Sequence, residues 1–274
     1  MNKKAIIRLI AATALMSIFP SITRANAASL TNSNEWNNLT GNPVQDKSTD
    51  TSGFQAILPD FQKYIQPEST PIPDNQLEKL DPKNLLLQND QDIRVWFINN
   101  GGIYHNQVAY EATQGSNDQK AWVFQDTQNV NTGDYVDLGK INAGTQLSFW
   151  LRANGAQPDD PNGTNPATQQ KNIYGADPTQ NPDQLDHLVA YEYKDYLLLG
   201  FEDLYGPLGS KAGGNIDLSA DRDFNDAVLV LNISKSNLKT NVPEPRTAIA
   251  LLGVGAVVMM TLRRRQNRAI NSDQ

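Results

Sequence analysis

Residues 196–233 read YLLLGFEDLYGPLGSKAGGNIDLSADRDFNDAVLVLNI, and this stretch decides the fold. Two apolar runs, 196–201 and 227–233, predict neighbouring strands, and each run adjoins an acidic cluster. If the strands pair, the two clusters lie at the same end of a hairpin-like loop. Six oxygen-bearing side chains can then converge: Glu202, Asp203, Asp221, Asp223, Asn225 and Asp226.

This cluster has two interpretations. Closely packed carboxylates repel one another unless a cation neutralises them, and oxygen ligands without Cys or His favour calcium. The alternative is a solvated acidic loop in which Asp and Asn form turns. The spacing of Asp221, Asp223 and Asn225 imitates a helix-loop-helix calcium loop, but Asp226 replaces its Gly and Asn232 replaces its bidentate Glu. That motif is therefore excluded.

The motifs GFEDL and DRDFNDAV resemble the signature of the bacterial domain-of-unknown-function family 4114. The resemblance extends back through VWFINNGGIYHNQVAY, GTQLSFWLRANG and DHLVAYEY, and it covers about residues 93–233. It implies an extracellular β-rich module of bacterial surface proteins, with a calcium site at the paired acidic motifs. It implies no reaction.

From residue 93 the sequence consists of short β-rich segments separated by Gly and Asn turns. No helical pattern lies between them, so the strands must pair without crossover helices. We expect an all-β fold, an antiparallel β-sandwich or jelly-roll-like domain over residues 93–233. Trp96, Trp122 and Trp150 are expected in its core. The predicted strands are 93–98, 108–112, 121–124, 135–138, 145–151, 187–193, 196–201 and 227–233.

Residues 28–92 predict a disordered to helical lead-in to this domain. Apolar residues at helical spacing over 54–65 predict a helix that Pro59 ends or kinks. Residues 74–78 offer a cap for a second short helix that ends near Asp81 and Pro82. Within the β domain, residues 153–185 form a long polar loop that either joins the acidic site or is an exposed variable loop.

Residues 1–27 predict a secretory signal peptide. A basic start precedes an apolar stretch of eleven residues, 9–19, which is too short to span a bilayer. The small residues before the predicted cut place cleavage between Ala27 and Ala28. The chain is therefore expected to be exported.

After a polar linker, 234–241, residues 242–274 predict a C-terminal sorting signal. Its apolar run, 247–262, predicts a slightly short membrane helix whose arginines remain cytoplasmic. The order of Pro-Glu-Pro, helix and arginines is similar to the PEP-CTERM sorting signal of Gram-negative bacteria. That resemblance implies processing by a membrane-embedded exosortase, and association with exopolysaccharide in the envelope or extracellular matrix. The sorting residues are Val242, Pro243, Glu244, Pro245, Arg263, Arg264 and Arg265.

Composition narrows the possible partners and chemistry. The chain of 274 residues has a net charge of −7 and no Cys, so disulfides and thiolate sites are excluded. Nine of its 23 basic residues lie in the two terminal segments, so residues 28–243 hold 14 basic and 28 acidic residues, and this acidic surface repels nucleic acid. The only histidines are His105 and His187, which are too few for a multi-His metal site, although either can line the rim of the acidic cluster.

The sequence thus predicts an exported module with a binding or structural role. Polysaccharide is a possible partner, and no residue is assigned a catalytic role. The alternative is a secreted carbohydrate-active enzyme that uses Glu202 or Asp223 as general acid or base. That chemistry requires a carboxyl group with a raised pKa in a partly apolar pocket. A purely architectural coat protein is a third possibility.

Overall fold

The computed structural model describes residues 30–65, 67–158, 171–215 and 218–239. These residues form a mostly β structure of two antiparallel sheets, which confirms the all-β prediction. The predicted signal peptide with Ala27 and Ala28, the sorting residues Val242–Pro245 and Arg263–Arg265, and the membrane helix 247–262 lie outside the described residues. Within the described part of the chain, no helix is long and apolar enough to cross a membrane.

All eight predicted strands are present. The strand bounds are β1 Glu78–Leu80, β2 Leu85–Leu86, β3 Gln91–Asn99, β4 Gln107–Gln114, β5 Asn117–Phe124, β6 Tyr135–Ile141, β7 Gln146–Arg152, β8 Ile173–Tyr174, β9 Leu188–Tyr193, β10 Tyr196–Phe201 and β11 Ala227–Leu231. The first sheet has six strands in the order β1-β9-β10-β11-β3-β6, and the second contains β2-β7-β4-β5, with β8 also paired to β7.

The central strands are continuously apolar because both of their faces are covered. In β10, Leu197 and Leu199 pack into the core shared by the two sheets, while Leu198 packs on the opposite face. Every residue of β11 is buried. The tryptophans predicted to be core, Trp96, Trp122 and Trp150, are all buried.

The outer face of the six-stranded sheet is covered by the lead-in. Helix α1 is Ser33–Trp36 and helix α2 is Phe54–Gln62. A helix is present where predicted, but it continues past Pro59 to Gln62 instead of ending at the proline. Phe54 stacks on Trp96 with ring centroids 4.1 Å apart, so α2 is held by aromatic packing on the sheet. Single 3₁₀ turns span Lys47–Thr49, Asp74–Gln76, Thr127–Asn129, Pro178–Gln180 and Lys235–Asn237.

The prediction of a second lead-in helix that ends near Asp81 and Pro82 is wrong. The chain makes one 3₁₀ turn at Asp74–Gln76 and then enters β1, which pairs antiparallel with β9. The exposed edge of β9 offers backbone hydrogen bonds to this segment, and such tertiary pairing overrides a local capping signal. Strand β2 similarly pairs with β7, so the lead-in contributes a strand to each sheet.

Two hairpin features position the acidic residues. Lys194 and Asp195 connect β9 to β10 in the left-handed conformation, with φ of 50° and 64°, as a two-residue hairpin loop requires. Strand β10 then pairs antiparallel with β11, and Phe201 lies opposite Ala227. The residues that follow β10 are therefore adjacent to those that precede β11.

Candidate metal centre

The paired ends of β10 and β11 bring the two acidic clusters together. Carboxylate oxygens of Glu202, Asp223 and Asp226 all lie within 4.8 Å of one another. In a second group, carboxylate oxygens of Glu68, Asp221 and Asp223 also lie within 4.8 Å of one another. Asp223 belongs to both groups, so five carboxylates form one continuous cluster, which we call the acidic centre. Asp203 and Asn225 adjoin it.

The inner part of the acidic centre is buried. Glu202 and Asp223 have no exposed surface, Asn225 is 1% exposed, and Asp203 and Asp226 are each 3% exposed. Asp221 is half-buried and Glu68 is exposed. Burial of several carboxylates at one place is costly unless donors or a cation compensate their charge.

Backbone and amide donors satisfy part of this charge. Asp203 N donates to Asp226 Oδ2 at 2.8 Å, and Asn106 Nδ2 donates to Asp203 Oδ2 at 2.6 Å. Asn225 N donates to Asp223 Oδ1 at 3.0 Å, and Asn225 Nδ2 donates to Asp223 Oδ2 at 2.7 Å. These bonds fix the carboxylates in place without neutralising them.

Two carboxylate oxygens of the acidic centre, Glu202 Oε2 and Asp221 Oδ1, are buried without a donor among the described residues, and Glu202 belongs to its inner part. Glu202 Oε1 accepts a hydrogen bond from Leu204 N at 3.3 Å, but Oε2 has no hydrogen-bond partner among the described residues. Because a buried oxygen with no donor loses its hydration without replacement, this atom is strongly unfavourable as an isolated carboxylate. It lies in the group with Asp223 and Asp226, which supply further negative charge instead of donors.

The electrostatic consequence is a set of raised pKa values. Burial, followed by the charge of Asp203, raises the pKa of Glu202 to about 8. Burial raises the pKa of Asp203 to about 7 against the opposing hydrogen bond from Asn106. Burial and the charges of Asp203 and Glu202 raise the pKa of Asp226 well above its usual value, and burial also raises that of Asp223. The fold alone thus disfavours the ionised acids.

The loop before β11 holds its acids by an unusual backbone. Arg222 and Phe224 adopt left-handed φ values of 58° and 61°, on either side of buried Asp223. Such conformations are disfavoured for residues other than Gly and persist where the surroundings impose them. The Arg222 guanidinium lies 5.2 Å from the centroid of the Phe224 ring. In the sequence D-R-D-F-N-D, the two residues in strained conformations, Arg222 and Phe224, therefore lie directly before and after Asp223.

One protein family model matches a segment of the chain that includes most of the acidic centre. Residues 141–234 match the family model described as Domain of unknown function (DUF4114). No curated protein and no solved structure matches the chain significantly. The matched segment contains all six predicted site residues, but it excludes Glu68 and the Asn99–Gly102 turn, which also border the acidic centre.

Glu68 is a member that the sequence interpretation missed. It follows Pro67 in the lead-in, about 130 positions before Glu202, and no local motif marks it. Although the residue is largely exposed, partial desolvation of its carboxyl group, followed by the charges of Asp221 and Asp223, raises its pKa to about 7. The neighbouring Ser69 binds the same loop, since its N–H donates to Asp223 Oδ2 at 2.9 Å and its hydroxyl to Asp221 Oδ2 at 3.1 Å.

The Asn99–Gly102 turn covers another side of the acidic centre. Gly101 N donates to Asn225 O at 3.1 Å. A Cβ atom on Gly101 would lie 1.9 Å from Asn225 Oδ1, and one on Gly102 would lie 3.3 Å from Asp226 Oδ1. The backbone at Gly101 approaches Asn225 so closely that a side chain there requires the loop before β11 to move.

The sequence left open whether the two histidines join the site. His187 is fully buried, with Nδ1 2.8 Å from Glu202 O and Nε2 2.9 Å from Asp183 Oδ2. Both ring nitrogens are thus engaged, and His187 positions Glu202 instead of facing the cluster. His105 is not part of the cluster: its Nδ1 lies 2.9 Å from Asp126 Oδ2.

The described end of the 153–185 loop supports the site through Asp183. Against the effect of burial, hydrogen bonds from His187 and from Gly206 N lower the pKa of Asp183. Asp183 Oδ2 accepts from Gly206 N at 2.7 Å, so it joins His187 to the loop that follows Glu202. Residues 159–170 of this loop lie outside the described part.

Proposed function

We propose that the acidic centre binds calcium and that the bound ion stabilises one end of a β-sandwich. The observation that carries this proposal is Glu202 Oε2, a fully buried carboxylate oxygen with no donor among the described residues, grouped with Asp223 and Asp226. A divalent cation among these oxygens replaces the missing donor. It also turns the repulsion between the acids into attraction.

The ligand set favours calcium over other divalent cations. The chain has no Cys, and both ring nitrogens of His187 are engaged, so soft or imidazole ligands are lacking at the centre. The oxygens come from carboxylates on three separate segments, the irregular and oxygen-rich type of coordination that calcium accepts with six to eight ligands. Magnesium requires nearly ideal octahedral geometry and retains several waters, which a crowded buried cluster does not provide.

The geometry supports a structural or binding role over the enzyme alternative. A general acid or base must come within hydrogen-bond reach of a substrate. Glu202 and Asp223, the candidates for that role, have no exposed surface, and their neighbours Asp203 and Asp226 are 3% exposed. A buried ion that joins the ends of two central strands is consistent with a module that needs calcium for stability.

The rest of the proposal concerns location and partners, and it rests on sequence motifs. We propose that the chain is exported and is sorted by an exosortase-type enzyme through Val242–Pro245, the apolar segment 247–262 and the terminal arginines. The final location is the cell envelope or extracellular matrix, with polysaccharide as the partner. Replacing Pro243 and Glu244 with alanine should leave the chain unprocessed in membrane fractions. Processing at the wild-type rate would contradict this assignment.

Calcium binding is tested by calorimetric titration of the chelator-treated protein with CaCl₂, together with thermal melts. At calcium concentrations about 100-fold above Kd, a ligand of the native state contributes about 2.7 kcal/mol. For a domain of this size, that corresponds to a rise in Tm of about 5–11 °C. Magnesium should produce a much smaller rise. No heat and no rise in Tm would refute the calcium site.

A further inference from the structure

Residues 67–73 connect helix α2 to the strands of the lead-in and have the composition of an extended spacer, with proline at 67, 71 and 73. The residues from Pro67 to Pro71 are exposed, yet the segment has a defined position on the acidic loop. Ser69 is held in the left-handed conformation with φ of 63°. An exposed segment in a disfavoured conformation requires an interaction that holds it there.

Three hydrogen bonds attach this segment to the loop before β11. Besides the two bonds from Ser69, Ile72 N donates to Asp223 O at 3.3 Å. Ile72 is 5% exposed and packs in the apolar cluster between the lead-in and the outer face of the sheet. The segment thus has one apolar anchor and a polar half that faces carboxylates.

When no cation is bound and the acids are ionised, charge opposes this attachment. Docking brings the Glu68 carboxylate within 4.8 Å of those of Asp221 and Asp223, and like charges at such distances repel. Asp223 is shared with the buried group that contains the donorless Glu202 Oε2. A cation bound by the buried group therefore also attracts Glu68 through their common neighbour.

We infer that Glu68 completes the cation site from the lead-in, so that calcium fastens residues 67–73 to the domain and its removal releases them. This inference rests on the proposed calcium site. It makes docking of the lead-in a response to calcium concentration. Affinities of extracellular calcium modules are about 10⁻⁴–10⁻³ M. A site completed by an exposed ligand fits that range, and such a site fills only where calcium is abundant.

Hydrogen–deuterium exchange on the full chain tests the inference. The amides of Ser69 and Ile72 are hydrogen-bonded to Asp223, so their exchange reports docking of the segment directly. We expect 10 mM CaCl₂, about 10- to 100-fold above a Kd in that range, to slow exchange over residues 67–73 about tenfold or more relative to chelator. The variant Glu68→Gln should weaken calcium binding about three- to tenfold in calorimetry and should abolish most of this protection.

Glu78→Gln is the matched control, because Glu78 is also an exposed glutamate of the lead-in but pairs with Lys235 away from the acidic centre. It should bind calcium as the wild type does. If the wild type binds calcium but exchange over residues 67–73 does not change, or if Glu68→Gln binds with unchanged affinity, the inference is wrong and the calcium site stands. If the wild type binds no calcium, the calcium site itself is wrong.

Discussion

Two clusters of acidic side chains lie on the six-stranded sheet, and they differ in how basic side chains contact them. Among the described residues, Arg94 is hydrogen-bonded to the acids of the first cluster, whereas Arg222, beside the second, donates to Asp186 O. At the first, Arg94 donates to Asp50 Oδ1 at 2.7 Å and to the two carboxylate oxygens of Asp137 at 2.6 and 2.9 Å. At the second, the acidic centre, Glu202 Oε2 has no donor among the described residues. Both clusters bury carboxylates, but the fold compensates their charge at only one of them.

The pKa shifts of the two clusters have opposite signs. Burial tends to raise the pKa of Asp50, but hydrogen bonds from Ser52, Trp96 and Gln55 lower it to about 2. Burial raises the pKa of Glu202 to about 8, and the neighbouring acids add to that effect. Burial alone therefore does not identify an ion site. The distinguishing feature is a buried carboxylate oxygen, Glu202 Oε2, that has neither a donor nor a hydrogen-bonded basic side chain among the described residues.

The largest expected effect is on the pH dependence of stability without calcium. The pKa of Glu202 is about 8 in the folded state and that of Asp203 about 7, against usual values of 4.5 and 3.8, so the folded state retains protons that the unfolded state has released. The contribution of these two acids to stability is then greatest below about pH 4 and falls as pH rises to 8. One retained proton corresponds to about 4 kcal/mol between pH 5 and 8.

Urea unfolding at pH 5 and pH 8, with chelator and with calcium, measures this effect. Calcium should remove most of the loss at pH 8, because the ion favours the ionised acids. Asp50 has the opposite effect, in a lower pH range. Because its pKa is lowered in the folded state, its contribution to the free energy of unfolding disappears as pH falls from about 4 towards 2. Equal stability of the calcium-free protein at pH 5 and pH 8 would contradict the assigned shifts.

The next effect comes from removing the protein's own cation with Arg94→Met. The Asp50 side chain is fully buried and would lose its charged partner, while Asp137, which is half exposed, would be rehydrated. Breaking a buried pair costs about 3–5 kcal/mol, and partial exposure of Arg94 places the expected loss near 3 kcal/mol. The urea midpoint should fall to the same extent with and without calcium.

The control for Arg94→Met is Lys140→Met, which breaks the exposed ion pair with Asp90 on the same sheet. Its urea midpoint should stay at the wild-type value, because exposed ion pairs contribute little. If Arg94→Met were as stable as this control, the compensation that we assign to Arg94 would be incorrect.

Glu202→Gln should have a smaller effect that changes sign with calcium. Without calcium at pH 8, where a carboxyl group with a pKa of about 8 is about half ionised, the substitution removes this buried partial charge, and Tm should rise by about 3–6 °C, or 1–2 kcal/mol. With calcium, the variant should lose most of the stabilisation that the wild type gains, because a ligand oxygen becomes an amide. Thermal melts under the two conditions measure both changes. A lower Tm under both conditions would indicate a purely structural hydrogen bond.

The sequence predicted the strands better than the lead-in for a physical reason. Residues 196–201 and 227–231 are continuously apolar because both of their faces are covered, so burial itself marks them. Strand β1 is mostly exposed, and its pairing with β9 depends on a partner about 110 positions away. Local capping residues at 74–78 therefore predicted a helix where edge pairing produces a strand.

The acidic centre was predictable in its paired motifs but not in its full membership. Antiparallel pairing of β10 with β11 is enough to bring Glu202 near Asp223 and Asp226. Glu68 reaches the site because the lead-in folds back over the sheet, which no local pattern encodes. The ion pair that compensates the charge of Asp50 was equally unpredictable from the sequence, because its partner Arg94 is 44 positions away and in a different element.

The smallest expected effect tests how closely the Asn99–Gly102 turn must approach the acidic centre. In Gly101→Ala, the new Cβ would meet Asn225 Oδ1 at 1.9 Å and Asn225 O at 2.7 Å, so the loop before β11 must move. In Gly102→Ala, the nearest atom is Asp226 Oδ1 at 3.3 Å, which a shift of a few tenths of an ångström relieves. Neither glycine has a positive φ, so added volume is the main change.

Gly101→Ala should therefore weaken calcium binding about tenfold, or 1.4 kcal/mol, and Gly102→Ala by less than about threefold. Calorimetry on the two variants measures the difference, and neither should alter the response of stability to loss of Arg94, which lies in a separate cluster. Equal losses of affinity in the two variants would mean that the position of Asn225 is unimportant for the ion. The ligands would then be the carboxylates alone, held by the strand ends without the help of the turn.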